Sequence, residues 1–307
     1  MENRTDYCNC LFEQPWWLDL VAPKQWNEEI IKNNKDEVIA RIAYVKGEKS
    51  IFMPKMTQCM GIWESSQIKS NYGERKRNYY KLFEEINKNK SVEICLNPSN
   101  EYVLPFRWMG YRMEPKFTYR INNLSDCNEL YSRFNKRAKR NIRCAQKEVK
   151  IYTETDLERL WKTLDKTFQA QNRKNPMPKE LIYKIVKYCD ENDHGKYIEA
   201  RDGAGNTHSC AYFVYDEKVC YYLIGASDSD FRNSGAQSLV LWEGIQFAAQ
   251  KSCIFDFEGS MIEGIENFFR QFNSVCTPYY VIRKNGLIKD IELEAKMRIK
   301  KIIGYKI

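Results

Sequence analysis

Two carboxylates stand two residues apart in the segment FDFEGS (255–260), at Asp256 and Glu258. On a strand, that spacing puts both on one face and turns Phe255 and Phe257 into packing. A carboxylate near a strand end can take a proton from an attacking ammonium. Glu258 lies nearer the end and is the candidate base, with Asp256 as a candidate acceptor contact. Asp256 has a second reading as a turn cap, and a relay through water would need no side-chain base. Tyr221 and Tyr222 alternate on a predicted strand, so one of them faces the cleft; Tyr222 is assigned to catalysis. Trp16 and Trp17 offer flat faces that can stack on a sugar or a base of the acceptor. Burial in a core is the ordinary role for each of these aromatics.

A second set of residues addresses anions. Between 133 and 150 lie Arg133, Lys136, Arg137, Lys139, Arg140, Arg143, Lys147 and Lys150, with Glu148 the only acid. At ~100° per residue, the first seven fall within an arc of about 160°. Tyr131, Phe134, Ala138, Ile142 and Ala145 occupy the other side, which makes an amphipathic helix with one packed and one cationic face. Like charges at i, i+4 cost roughly a few tenths of a kcal/mol per pair, which an anionic partner would offset. Arg137, Arg140 and Arg143 are the candidate phosphate contacts. A tRNA backbone, a nucleotide-sugar or lipid diphosphate and an anionic membrane surface all fit; a solvated face is the alternative. In RNSGAQS (232–238) small residues permit close approach of backbone to ligand, and the helix that follows favours an anion at its N-terminus.

These residues need elements to hold them. From 125 onward the pattern predicts a helix at 125–148, a strand at 149–153, and helices at about 155–172 and 179–192. Three strands follow at 196–201, 207–215 and 218–225, separated by the turns DGAGN and DEK. Leu241, Ile245 and Ala248 mark an apolar helix over 236–250. A strand at 253–257, a helix near 262–272, a strand at 278–283 and a terminal helix near 287–301 complete the order. The meander excludes a simple doubly wound fold. In the first half, residues 37–54 read as two strands around KGEK, a helix follows at 75–89, and KSVEICLNPS (90–99) is a short strand. Strand pair, helix, "KS" and a short apolar strand ending in Ser thus occur twice, here and at KSCIFDFEGS (251–260). The reading is an internal duplication with an abbreviated first copy, the domains being 1–120 and 121–307.

A chain of 307 residues with 43% hydrophobic side chains has room for two cores and is not disordered by default. The formal charge of +8 makes anionic partners plausible. The 11 cysteines include no CxxC pair, and there are only two histidines, so no metal site is expected. His194 and His208 lack triad partners in a recognisable spacing and read as structural. No signal pattern and no apolar run near the ~18 residues of a membrane helix is evident, so the expected location is the cytoplasm, with reduced thiols.

The element order of the second half resembles a GNAT domain. The sequence resembles the Fem-type peptidyltransferases and their GNAT acyltransferase relatives. Four stretches carry it: FNKRAKRNIRCAQKEVKI (134–151), YYLIGASDSDFRNSGAQSLVLWEGIQFA (221–248), FDFEGS and GIENFFRQF (264–272). QPWWL (14–18) is similar to the family's N-terminal opening. The resemblance implies an α/β (α+β) fold of two tandem GNAT-like domains, with mixed, mostly antiparallel sheets flanked by helices and an acceptor site between the halves. It implies that the 232–238 loop wraps the donor's pyrophosphate through Arg232, Gly235, Ala236 and Gln237, the last standing where a glycine is usual. It implies strands that splay near Gly225 and Ala226, whose backbone N–H groups would polarise the donor carbonyl. It also implies that Phe269 and Arg270 occupy the family's Phe-Lys pair, with Arg bringing a planar fork in place of a point charge. Asn273 replaces the family's glycine.

Three functions follow as expectations. The first is an N-acyltransferase moving an acyl group from a CoA thioester to an amine of a sugar, nucleotide sugar or peptide in cell-envelope or polysaccharide synthesis. The second is an aminoacyl-tRNA-dependent peptidyltransferase. The third is a non-catalytic scaffold that holds a saccharide or peptide. The absence of the long helical hairpin of some Fem-type enzymes favours the first.

Overall fold

The computed structural model describes residues 7–259 and 261–285. The fold divides into two units, one holding residues up to Lys116 and again from Tyr279, the other Phe117–Pro278. Helix α1 (Pro15–Val21) opens the first unit, with proline in its first turn where the missing N–H costs nothing. Strands β1 (Trp26–Lys32), β2 (Val38–Lys46), β3 (Ser50–Phe52) and β4 (Ile62–Glu64) follow. Helix α2 (Tyr72–Ile86) is capped by Asn71, whose side chain accepts the Glu74 N–H at 3.1 Å. It buries Tyr79, Leu82, Phe83 and Ile86 and leads to β5 (Ser91–Cys95), the short helix α3 (Leu104–Trp108) and β6 (Arg112–Ile121). Strand β2 pairs antiparallel with β1, β3 and β4, while β5 pairs parallel with β3.

The second unit contains α4 (Cys127–Arg133), α5 (Lys136–Glu148), β7 (Val149–Tyr152), α6 (Leu157–Gln169) and α7 (Lys179–Glu191). The meander β8 (Gly195–Asp202), β9 (Thr207–Tyr215) and β10 (Val219–Ser227) comes next, then α8 (Ala236–Lys251), β11 (Ile254–Asp256), α9 (Glu263–Phe269) and β12 (Val275–Lys284), whose residues from Tyr279 belong to the first unit. Within this unit the strand order is β6, β11, β10, β9, β8, β7, and only β10–β11 is parallel. Helix α8 is buried on nearly every side because it lies against both the sheet and α5. Its Gly244 makes room for the Phe213 ring, which a Cβ would meet at 2.3 Å.

The duplicated connection is present in both units. The β2–β3 hairpin, α2 and parallel β5 repeat as the β9–β10 hairpin, α8 and parallel β11. Each copy then gains an antiparallel neighbour: Val281–Lys284 of β12 beside β5, and Arg120 and Ile121 of β6 beside β11. The architecture is mixed α/β, with mainly antiparallel sheets flanked by helices.

Two predictions are corrected. The helix expected over 125–148 is two helices, because Phe134 leaves the helical region and Asn135 starts a new one. The Asn135 side chain accepts the N–H groups of Arg137 and Ala138 at 2.8 and 3.0 Å. The helix expected near 262–272 ends at Phe269 and closes with a tighter 3-10 turn over Arg270–Phe272. The helix placed near 287–301 lies outside the described residues.

Candidate active site

Strand β10 positions the centre of the site. It pairs with β11 only from Val219 to Tyr221, and beyond the Tyr221–Asp256 pair the two parallel strands part. Its other edge stays paired with β9 as far as Ser227. The Asp228 N–H donates to the His208 carbonyl, towards β9, whereas the Ser227 N–H turns away and donates to Thr167 Oγ1 at 2.8 Å. With the period of two along a strand, the Gly225 N–H points the same way as that of Ser227, to the side where β11 has diverged.

Gly225 is required there by a close approach. The Tyr222 hydroxyl folds back over it, and a Cβ on residue 225 would lie 1.8 Å from that oxygen. Burial pushes the Tyr222 phenol up to about 12, and a hydrogen bond with Gln237 acts the other way. The Tyr222 ring meets Phe269 edge-on at 6.2 Å, and Phe269 packs on Phe257 at 4.8 Å. Four of the predicted residues, Tyr222, Gly225, Gln237 and Phe269, are therefore neighbours.

Beyond Gln237 opens a cavity of about 430 Å³. The loop after β10 and the first turn of α8 supply Arg232, Gly235, Ala236 and Gln237. Helix α5 supplies Arg137 and Asn141, and Thr167, His208, Asp228 and Gln271 complete its polar wall. Gly235 caps α8 in the left-handed region at φ 77°. A Cβ on it would sit 2.3 Å from the Asn141 carbonyl oxygen, so only glycine lets the loop pass this close to α5. The result is a helix N-terminus with two exposed arginines, Arg137 and Arg232, on one concave surface. Such a surface suits an anion with several oxygens. Asp228 does not oppose it freely, because Lys166 holds its carboxylate at 2.5 Å.

Glu258 follows Phe257 in an unusual conformation. It and Gly259 are both left-handed, at φ 60° and 66°. A Cβ on Gly259 would strike the Phe117 carbonyl at 2.4 Å, so the turn is tight. The Glu258 N–H donates to Asp256 Oδ1 at 2.8 Å, while Glu258 Oε1 is buried without a partner among the described residues. Burial and the neighbouring Asp256 push its carboxyl well above the usual carboxylate range. A strained, desolvated carboxyl of this kind is a recurrent feature of proton-transfer sites.

The other predicted residues are placed differently. Asp256 is 0% exposed, and its oxygens are taken by Arg120 Nε at 2.6 Å, Thr118 Oγ1 at 2.5 Å and the Glu258 N–H. It holds the turn and does not line the cavity at the start of α8. Arg270 is exposed, pairs with Glu266 at 3.4 Å and bonds Asn267; it does not line the cavity, which α9 and the turn after it meet through Gly264, Asn267, Phe268 and Gln271. Ala226 is buried in β10. Arg140 and Arg143 face a separate shallow depression of about 440 Å³ with Lys147. In the first unit, Trp17 is fully buried and donates to Thr57, while Trp16 is half-buried against it.

Sequence reasoning missed Asn141, Thr167, Gln271 and above all His208 as cavity residues. His208 is stacked on Phe231 at 4.0 Å and contacts Asp202 at 3.2 Å. Its neighbours come from a turn and a loop whose meeting has no signature in spacing.

Residues 132–270 match the family model described as acetyltransferase (GNAT) domain. No curated protein matches the chain by sequence. Among solved structures it is similar to FemX, with a TM-score of 0.68 and 12% identity over 91% of this chain and 96% of that one. It is also similar to L-PGS from Bacillus licheniformis, with a TM-score of 0.59 and 10% identity over 99% and 96%. A tandem GNAT protein from the clavulanic acid biosynthesis pathway aligns with a TM-score of 0.54 and 8% identity over 85% and 83%. The matched segment holds the parted β10–β11 strands, the Gly235 turn and every cavity residue except Gln271. Residues 132–270 thus match a GNAT acetyltransferase domain, and the chain has the fold seen in FemX.

Proposed function

We propose that the chain transfers an acyl group from a CoA thioester to an amine of a sugar, nucleotide sugar or peptide in envelope or polysaccharide synthesis. The observation that carries this reading is the cavity in which Arg137, Arg232 and the glycine-capped N-terminus of α8 converge. A pyrophosphate bound there would be held by charge and by backbone N–H groups. The acyl arm would then run past Gln237 and Tyr222 to the gap beside Gly225.

In that gap the Gly225 N–H stabilises the oxyanion formed when the amine nitrogen adds to the thioester carbon. Glu258, as carboxylate, takes a proton from the attacking nitrogen, directly or through water. The C–S bond breaks, and the Tyr222 phenol, kept protonated by burial, gives its proton to the departing thiolate. Asp256 acts from behind by fixing the Glu258 turn rather than by touching the acceptor.

A second reading, an aminoacyl-tRNA donor, is favoured by one observation. Arg140, Arg143 and Lys147 form an exposed cationic depression on the same helix as Arg137. Thermal shift separates the readings, since a ligand stabilises the state it binds. Acetyl-CoA or a longer acyl-CoA should raise Tm by a few degrees, roughly, at saturating concentration. A shift with charged tRNA alone would replace the first reading by the second, and silence from both would leave a saccharide- or peptide-binding scaffold.

A further inference from the structure

The first unit carries an exposed feature that acyl transfer does not use. Tyr72, Tyr80, Leu104 and Trp108 are 60%, 39%, 50% and 52% exposed, a large share for side chains of this size. They are not scattered. On α2, residues 72, 76 and 80 recur at i, i+4, i+8 and so share one face. On α3, residues 104 and 108 do the same. The two faces meet where Lys76 Nζ lies 4.9 Å from the Trp108 ring centre and 5.9 Å from that of Tyr80.

Lys76 stands between Tyr72 and Tyr80 on the α2 face, and Glu84 continues that face. Lys69, Lys76, Arg77, Lys81 and Arg107 all reach solvent on or beside the two helices. The acids nearby are fewer. Glu74 is engaged by the Asn71 side chain and Glu85 by Lys88, while Glu84 and Glu101 remain exposed. A protein-binding face would collect its apolar groups into a dry centre with charges at the rim. Here a cation lies 4.9 and 5.9 Å from the ring centres of Trp108 and Tyr80.

We infer that the α2–α3 face docks on an anionic lipid surface. Aromatic rings with polar edges settle at the level of lipid head groups, and Lys and Arg among them draw the face to negative charge. Leu104 and Trp108 enter the interface, and Lys76 and Arg107 contact head-group phosphates. This face is distinct from the cationic side of α5, and the inference stands whether or not the donor is a CoA thioester.

The test is cosedimentation of the full chain with vesicles of phosphatidylcholine alone and of phosphatidylcholine mixed with phosphatidylglycerol. Binding to the mixed vesicles only, weakened by added salt, is expected. Lys76→Glu should reduce it about tenfold, since it reverses one charge at the surface. Trp108→Ala should reduce it several-fold, with thermal unfolding unchanged because the ring is exposed. Arg140→Glu with Arg143→Glu should retain binding. Equal pelleting with both vesicles, no pelleting, or variants Lys76→Glu and Trp108→Ala that bind like the parent would overturn the inference. So would a loss confined to the α5 variant, which would assign the membrane contact to that helix.

Discussion

Gly235 passes so close to Asn141 that a methyl group on it would press within 2.3 Å of the Asn141 carbonyl oxygen. This contact locks the start of α8 against α5 and thereby sets Arg137 and Arg232 on one cavity wall. Gly235→Ala should cost about 1–2 kcal/mol for the left-handed conformation. Displacing the backbone of α5 should add about 1–3 kcal/mol. Urea unfolding measures the loss. Donor affinity should fall with it, because the loop can no longer seat as it does. A variant with unchanged stability and donor affinity would mean that the loop is not held by this contact.

Glu258→Gln separates a base from a bystander. If the carboxylate is the base, activity rises with pH through a value above the usual carboxylate range, and the variant loses that rise together with about 10²–10⁴ of kcat. Stability moves the opposite way. A carboxyl raised in the folded state binds its proton more tightly there than when unfolded. Its contribution is therefore complete below the unfolded value and is lost as pH rises through the folded one. Glu258→Gln should remove that decline and be the more stable protein at high pH. Unfolding curves across a pH series check the sign.

Arg120→Ala would strand a carboxylate that has no access to water. Asp256 and Arg120 are 0% and 8% exposed and meet at 2.6 Å. Removing one partner of such a pair typically costs about 3–5 kcal/mol. The Glu258 turn should loosen as well, since Asp256 accepts its N–H. Chemical denaturation reads the first effect, and the pH–rate profile reads the second.

Arg270→Ala should change kcat by less than about twofold, the reverse of what its place in the motif GIENFFRQF suggests. Its guanidinium faces solvent beside Glu266 and Asn267, away from the cavity. A loss of a hundredfold or more in steady-state turnover would show that the side chain swings inward when substrate is bound.

Much of the frame was legible. Leu241, Ile245 and Ala248 specify α8, and the turns DGAGN and DEK separate β8, β9 and β10 close to where they do in the structure. The repeated strand pair, helix and short strand was readable because each copy must bury the same faces. Strand β1 was not, because WNEEIIK does not alternate: its burial is irregular and a bulge follows Ile31. The break at Asn135 was overrun, since charge on both sides of it keeps the helical period.

In the site, Arg137, Arg232, Gly235, Ala236 and Gln237 come to one cavity; Arg137 was legible from the cationic face of its helix, and the other four from the family resemblance of the 232–238 loop. The bond between Asp256 and Arg120 joins residues far apart in sequence, and nothing in FDFEGS tells which cation will meet it. The left-handed backbone of Glu258 was equally hidden, as glutamate does not advertise a positive φ.

The central claim is that the cavity at the α8 N-terminus binds the donor's phosphates. Isothermal titration of acetyl-CoA into the parent protein and into Arg137→Ala with Arg232→Ala tests it most directly. Each arginine lost from a charge-assisted contact costs about 1.5–3 kcal/mol. The double variant should therefore bind at least about a hundredfold more weakly, with the parent's affinity falling as salt is added. Equal affinity in the two proteins, or no heat from the parent at any concentration, would contradict the account.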